Sequence, residues 1–326
     1  RAKRAHTFAR DARMLACSAL TLHSDQTSMI VLEPILTIGS TDCYACVAAD
    51  AEHAVELDAH AHGLDRDLEA AGLSPYRHRA GRGGGLPRQH INPWDQIEDY
   101  RNAVSFAKTL DNIDTDRIGV WGISYSGGHA LCVAALDSRV KFALSVVPVV
   151  DGFPTMRRCH GERKFAAIQK LILEDREARQ RGEPSQMIAM STTDPDNEIS
   201  SWPFPHVCTI FNDIKEREAP NHIHENTLES VELLMQYDVM PYAKRIYETP
   251  YMMAIAKGDN ITSADLEIDV FNAVPCPNKE LAIVEGVDHM SLYSNNDHLE
   301  KVSSAQANWL RDLLFGPEAL LAKAAE

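Results

Sequence analysis

Arg117-Ile-Gly-Val-Trp-Gly-Ile-Ser-Tyr-Ser-Gly-Gly-His-Ala-Leu-Cys-Val-Ala-Ala135 is the stretch on which the reading of this chain turns. After Arg117, the run Ile118 to Gly122 is short and free of charge, as a buried strand requires. From Gly127 to Ala135 the composition is that of a helix, so Ser124 lies in the turn between the two. A serine on so sharp a strand-to-helix turn is forced into a strained backbone conformation, and the residues two before and two after it must be small. Gly122 meets the first requirement. Ser126 stands where a glycine is commonest, but it is small, and Gly127-Gly128 behind it allow the helix to pack closely on the strand.

Outward from this turn, the flanking sequence alternates between helix and strand. Asn92-Pro93-Trp94-Asp95 reads as a helix start, followed by Ile97, Tyr100, Val104, Ala107 and Leu110 at helical spacing. Phe142 to Val147 reads as a second strand, Tyr251 to Ala256 as a third and Glu280 to Glu285 as a fourth. A helix is expected over Ala264 to Ala273, and another from about Leu299 to Leu314. Such alternation implies a mostly parallel sheet with helices on both faces. Between about Phe153 and about Thr249 the character changes to long charged helical stretches, such as Glu162 to Arg181, broken by a polar segment around Ser191 to Pro205. This reads as a helical cap. Its Phe165, Ile168, Leu171 and Ile172 have spacings that suit either a pocket or packing on the sheet. The expected organisation is an irregular region over 1–90, core over 91–152, cap over 153–249, and core again over 250–326.

A serine hydroxyl is too weakly acidic to attack unaided and needs a base, with an acid to orient that base. In an α/β hydrolase, the fold this pattern implies, the three follow in the order Ser, Asp or Glu, His, each at a strand's carboxyl end. Asp259 follows the strand ending at Ala256, and His289 follows the one ending at Glu285. The expected triad is therefore Ser124, Asp259 and His289. Asp265 and Asp288 compete for the acid role, but the first falls inside a helix and the second adjoins the histidine. The Tyr125 backbone N–H is the expected first oxyanion donor. The second stays unassigned, because His62-Gly63 is the one early His-Gly pair and no clean strand precedes it.

Composition excludes several classes. A formal net charge of −15 disfavours nucleic acid and anionic membrane surfaces. No apolar run is long enough to span a bilayer, so the expectation is a soluble, cytoplasmic protein. Seven irregularly spaced cysteines argue against a disulfide framework. Cys43-Tyr-Ala-Cys46 has metal or redox spacing but lacks a second pair, and His60-Ala-His62 and His222-Ile-His224 lack partners to complete a metal site. Arg79 to Gly85 is glycine-rich without the Lys-Ser/Thr ending of a phosphate loop, so no nucleotide, cofactor or metal is expected.

From Leu86 to about Phe315 the chain resembles fungal α/β hydrolases of the polyketide transferase and thiohydrolase family, relatives of dienelactone-hydrolase-like esterases. The resemblance rests on Asn92-Pro-Trp-Asp95, Asp99-Tyr100-Arg101, Asp116-Arg-Ile-Gly119, Trp121 to Gly128, Val147-Pro-Val-Val-Asp-Gly152, Gly258-Asp259 with Thr262, and Gly286-Val-Asp-His289. It implies the same triad, and release or transfer of an acyl chain from a thioester in secondary-metabolite or toxin biosynthesis. The substrate would be a small acyl molecule, free or held on a carrier protein. A small-molecule carboxylesterase and a catalytically impaired binding protein or damaged gene product are the alternatives. The last is motivated by Arg1 in place of Met and by a first third in which only Met29 to Leu32 and Ile35 to Ile38 read as strands. The family's strand ending in His-Gly is missing there, and Tyr76-Arg-His-Arg79 only approximates its Tyr-Asp-x-Arg. The expectation is a frameshifted or mis-joined beginning.

Overall fold

The computed structural model describes residues 30–36, 43–47, 89–109, 114–217, 219–220 and 222–316. Its centre is a six-stranded sheet in the order β2-β1-β3-β4-β7-β8, formed by β1 (Ile30–Leu36), β2 (Cys43–Val47), β3 (Ile118–Ile123), β4 (Phe142–Val146), β7 (Tyr251–Ala256) and β8 (Lys279–Val284). All neighbours run parallel except β1 and β2. A small antiparallel pair, β5 (Met187–Ala189) with β6 (Glu225–Thr227), lies outside this sheet.

The central strands β3, β4 and β7 are almost wholly apolar and buried because helices cover both faces. Ile118 and Val120 of β3, Ala143 of β4, and Tyr251, Met253 and Ile255 of β7 join one large core. With them pack Ile97, Tyr100 and Val104 of α1 (Pro93–Ala107), Leu131 of α2 (Tyr125–Leu136), and Val270 and Phe271 of α7 (Ala264–Ala273). The alternate residues Phe142, Leu144 and Met252 pack against Trp309 and Leu310 of α9 (Asn296–Phe315). Gly119 makes room for this arrangement, since a Cβ there would stand 2.0 Å from the Phe142 ring. Each fully buried aliphatic or aromatic side chain contributes about 1.5–3 kcal/mol, so this two-sided core holds the strand ends rigidly where the site is built.

The segment between β4 and β7 is mainly helical. It contains α3 (Gly152–Gln180), α4 (Pro205–Arg217), α5 (Leu228–Met235) and the single turn α6 (Met240–Ala243). The long helix expected from Glu162 begins ten residues earlier, and Gly161, with φ 65° and ψ 164°, breaks it in two. Phe165, Ile168 and Ile172 of α3 are buried in the main core with Leu228, Val231 and Leu234 of α5.

In the first third, the two short runs expected on either side of Pro34 form one strand, β1. Pro34 is tolerated because the register with β3 covers only Ile30 to Leu32, and beyond it β1 pairs with β2 alone. The Cys43-to-Cys46 spacing falls within β2. His60, His62, Gly63 and the 76–85 segment lie outside the described residues. Among the described residues no helix is long and apolar enough to cross a membrane.

Candidate active site

Three loops at the carboxyl ends of β3, β7 and β8 converge. Ser124 sits between β3 and α2 at φ 56° and ψ −120°, a left-handed conformation that a side chain-bearing residue adopts only when its surroundings impose it. Here its N–H donates to the Val146 carbonyl at 2.8 Å, and its own carbonyl accepts from Val149 N at 2.9 Å. Gly122 is obligatory, since a Cβ would stand 2.1 Å from the Ser126 carbonyl oxygen. The departure at Ser126 has a physical resolution. Its hydroxyl folds back to donate to the Ile123 carbonyl at 2.8 Å and accept from Ile123 N at 3.0 Å, so the extra polar atom is satisfied inside the turn.

His289 arrives on the loop after β8, which turns at Gly286 with φ 72°. Its Nε2 lies 3.0 Å from Ser124 Oγ and its Nδ1 2.7 Å from Asp259 Oδ2. Asp259 is held in turn. The N–H groups of Ile261 and Thr262 donate to Oδ1 at 2.8 and 2.9 Å, and the Thr262 hydroxyl lies 2.8 Å from Oδ2. Burial alone would raise the Asp259 carboxyl, but the His289 charge and hydrogen bond and the Thr262 donors outweigh it and hold the group below its ordinary range. Such an arrangement can move a proton from Ser124 to His289 while Asp259 stays ionised.

The competing acids sit elsewhere. Asp265 is exposed and forms a two-pronged ion pair with Arg158, at 2.7 and 2.9 Å. Asp288 is exposed and accepts from Ser291 N at 2.9 Å. Tyr125 opens α2, where first-turn N–H groups have no acceptor within the helix. Its ring packs against His129 and Tyr237, with centroids 4.7 and 5.1 Å away. His222 Nε2 lies 3.0 Å from His224 Nδ1, and His224 Nε2 lies 2.5 Å from Ser191 Oγ.

Several residues around the site went unremarked in the sequence. His129, wedged between Tyr237 OH at 2.9 Å and Gln96 Oε1 at 3.0 Å, is pushed down to about 3 by burial. Tyr293 of the short turn α8 (Ser291–Ser294) stacks on the His289 ring at 5.9 Å. Phe211 of α4 meets Tyr293 edge-on, and α4 shares an apolar cluster with Ile261 and Met290, the neighbours of Asp259 and His289. Phe211 and Tyr293 stand too far apart in sequence for spacing to pair them.

Comparison with known proteins then identifies the lineage. The chain is 30% identical to a thiohydrolase of Eupenicillium brefeldianum over 235 residues, covering 71% of this chain and 73% of the relative. It belongs to the fungal thiohydrolase and polyketide transferase family of α/β hydrolases. Within that family it is also 29% identical over 248 residues to the thiohydrolase aneE of Aspergillus aculeatus, covering 74% of this chain and 76% of the relative. The acetyl xylan esterase (AXE1) family matches residues 96–195. Among solved structures, DcsB in complex with its substrate analogue superposes with a TM-score of 0.60 at 23% identity, covering 72% of this chain and 79% of that one. The α/β hydrolase GrgF from Penicillium sp. sh18 gives a TM-score of 0.57 at 22% identity, covering 72% and 76%. These two likenesses show a shared fold.

Proposed function

We propose that this protein is a serine acyl hydrolase or acyltransferase that works on a thioester or ester of secondary metabolism through an acyl-enzyme on Ser124. The observation that carries the reading is the unbroken hydrogen-bonded chain Ser124–His289–Asp259 on a strained turn. In this mechanism His289 Nε2 takes the hydroxyl proton as Ser124 Oγ attacks the acyl carbon. The carbonyl oxygen becomes an oxyanion that accepts from Tyr125 N–H. Collapse breaks the bond to the thiol or alcohol, which leaves with the proton from His289, and Asp259 stabilises the imidazolium meanwhile. Water, or a hydroxyl or amine acceptor, then repeats the sequence in reverse on the acyl-enzyme. Family relatives named as thiohydrolases, an acyltransferase and polyketide transferases support the thioester branch. The AXE1 match favours the second reading, a carboxylesterase of small oxygen esters.

The segment from about Phe153 to about Thr249 is, in this proposal, a cap that selects the acyl chain. Support comes from α4, whose Val207, Phe211 and Ile214 pack with Ile261 and Met290 beside the triad loops. The test is turnover of an acyl-N-acetylcysteamine thioester against the ethyl ester of the same acid. The proposal expects the thioester to have the higher kcat/KM by more than its greater inherent reactivity toward hydroxide. A preference for the oxygen ester on that scale selects the carboxylesterase reading.

A further inference from the structure

Behind Asp259, away from the nucleophile, lies a second carboxyl group for which neither the fold nor the triad has an evident need. Glu267 is on the first turns of α7 and is fully buried, as is Thr262. Its Oε1 is 2.6 Å from Thr262 Oγ1, which is itself 2.8 Å from Asp259 Oδ2 and 3.4 Å from His289 Nδ1. Glu267 Oε2 has no hydrogen-bond partner among the described residues.

One hydroxyl carries one proton and so can serve only one of two acceptors. If both carboxyls were ionised, one of the two short O···O contacts would hold no proton, and two buried anions would face each other across Thr262. A proton on Glu267 resolves both difficulties and leaves Oε2 as a carbonyl oxygen, which loses far less than a carboxylate oxygen when buried without a partner. We infer that Glu267 is a neutral hydrogen-bond donor that fixes the direction of the chain Glu267→Thr262→Asp259, so that the Thr262 hydroxyl always points at Asp259 and leaves its one remaining lone pair for the His289 side. Glu267 is thus a positioning residue, acting on the triad through Thr262, and the inference rests on the triad reading proposed above. Burial first, and then the Asp259 charge, push the Glu267 carboxyl well above its ordinary range, in the sense this requires. The other ionisable groups that face this cluster are His289, Tyr251 of β7, Asp265 of α7 and, beside Asp259, Cys159 of α3.

The test combines a direct reading of the proton with kinetics. The Glu267 side-chain carboxyl carbon, assigned by its loss in Glu267→Gln, should keep the ¹³C shift of a neutral acid at pH 7. A carboxylate shift overturns the inference. Thr262→Val, close in shape to the residue it replaces, and Glu267→Leu, which removes the carboxyl, should each lower kcat/KM by up to about 10², the scale of a small displacement of a catalytic group. The double variant should lose no more than the worse single one, because both act through one hydroxyl. Glu267→Gln, which keeps a neutral donor, should recover most of the rate lost in Glu267→Leu, with the acid limb of the pH profile unmoved. An acid limb lowered by about one pH unit in Glu267→Gln marks an ionised Glu267 that raises the His289 pKa, and overturns the inference. Additive losses in the double variant, or variants that melt earlier at wild-type kcat/KM, overturn the positioning role. Failure of the triad reading shows differently, as wild-type protein that does not react with a fluorophosphonate, and leaves the ¹³C measurement intact.

Discussion

At the scale of single residues, the hydrogen bonds around Asp259 and His289 fix the orientation of both side chains. Asp259 accepts from two backbone N–H groups and stands 2.7 Å from His289 Nδ1, so Asp259→Asn should leave the fold in place while presenting His289 in the wrong tautomer. The expected cost is about 10³ to 10⁴ in kcat, and a loss below tenfold, with Asp288→Asn more damaging, would contradict the assignment. A second prediction concerns Asp99, whose Oδ2 is buried without a hydrogen bond. Burial, then the neighbouring Asp95 and Glu98, pushes its carboxyl up to about 7. The folded chain therefore holds a proton that the unfolded chain has released, and stability should fall as pH rises from about 4 to about 7. Asp99→Asn should raise the Tm relative to wild type more at pH 8 than at pH 5, and an equal difference at both pH values would contradict this. Ser124, Asp259 and His289 were legible because strand-end placement and chain order mark them. Glu267 was not, because an acidic residue in the first turn of a helix ordinarily serves the helix dipole in solvent. Its burial depends on where α7 packs.

At the scale of elements, what could be read was the periodic part. The strands at Phe142, Tyr251 and Lys279 and the helix Ala264–Ala273 agree with the reading to within a residue or two at their ends, since apolar runs bounded by glycines and acidic turns leave few alternatives. The pair β5 and β6 was missed, as three-residue strands carry no period to detect. The spacing of α3 pointed toward Phe165, Ile168, Leu171 and Ile172, which are in or packed against the main core, while Tyr293 of α8 stacks on His289 and Phe211 of α4 meets Tyr293. Phe211→Leu should accordingly shift acyl-chain-length preference while leaving reaction with a small fluorophosphonate at its wild-type rate. Ile168→Val, in the core beneath α5, should cost about 0.5–1.5 kcal/mol of stability without that shift. An unchanged preference in Phe211→Leu would remove α4 from substrate selection.

At the scale of the whole molecule, the sheet places Ser124, Asp259 and His289 at the ends of β3, β7 and β8, with β4 between the first two and fully buried. The order of these strands brings together residues 165 positions apart, and no local signal does so. The proposed first oxyanion donor, Tyr125 N–H, comes with the turn itself, whereas the second, expected from an early loop, has no assigned residue, and the His62-Gly63 pair considered for it lies outside the described residues. Removing one such donor costs about 10² to 10³ in turnover, so the overall rate is the property most sensitive to that region. Reaction with a fluorophosphonate, read by mass spectrometry, asks at once whether Ser124 is activated by His289 and Asp259. The account predicts one adduct per chain, on the peptide containing Ser124, abolished in Ser124→Ala with no change in melting temperature. An adduct that survives Ser124→Ala, or a folded wild-type chain that takes up no probe, would contradict it.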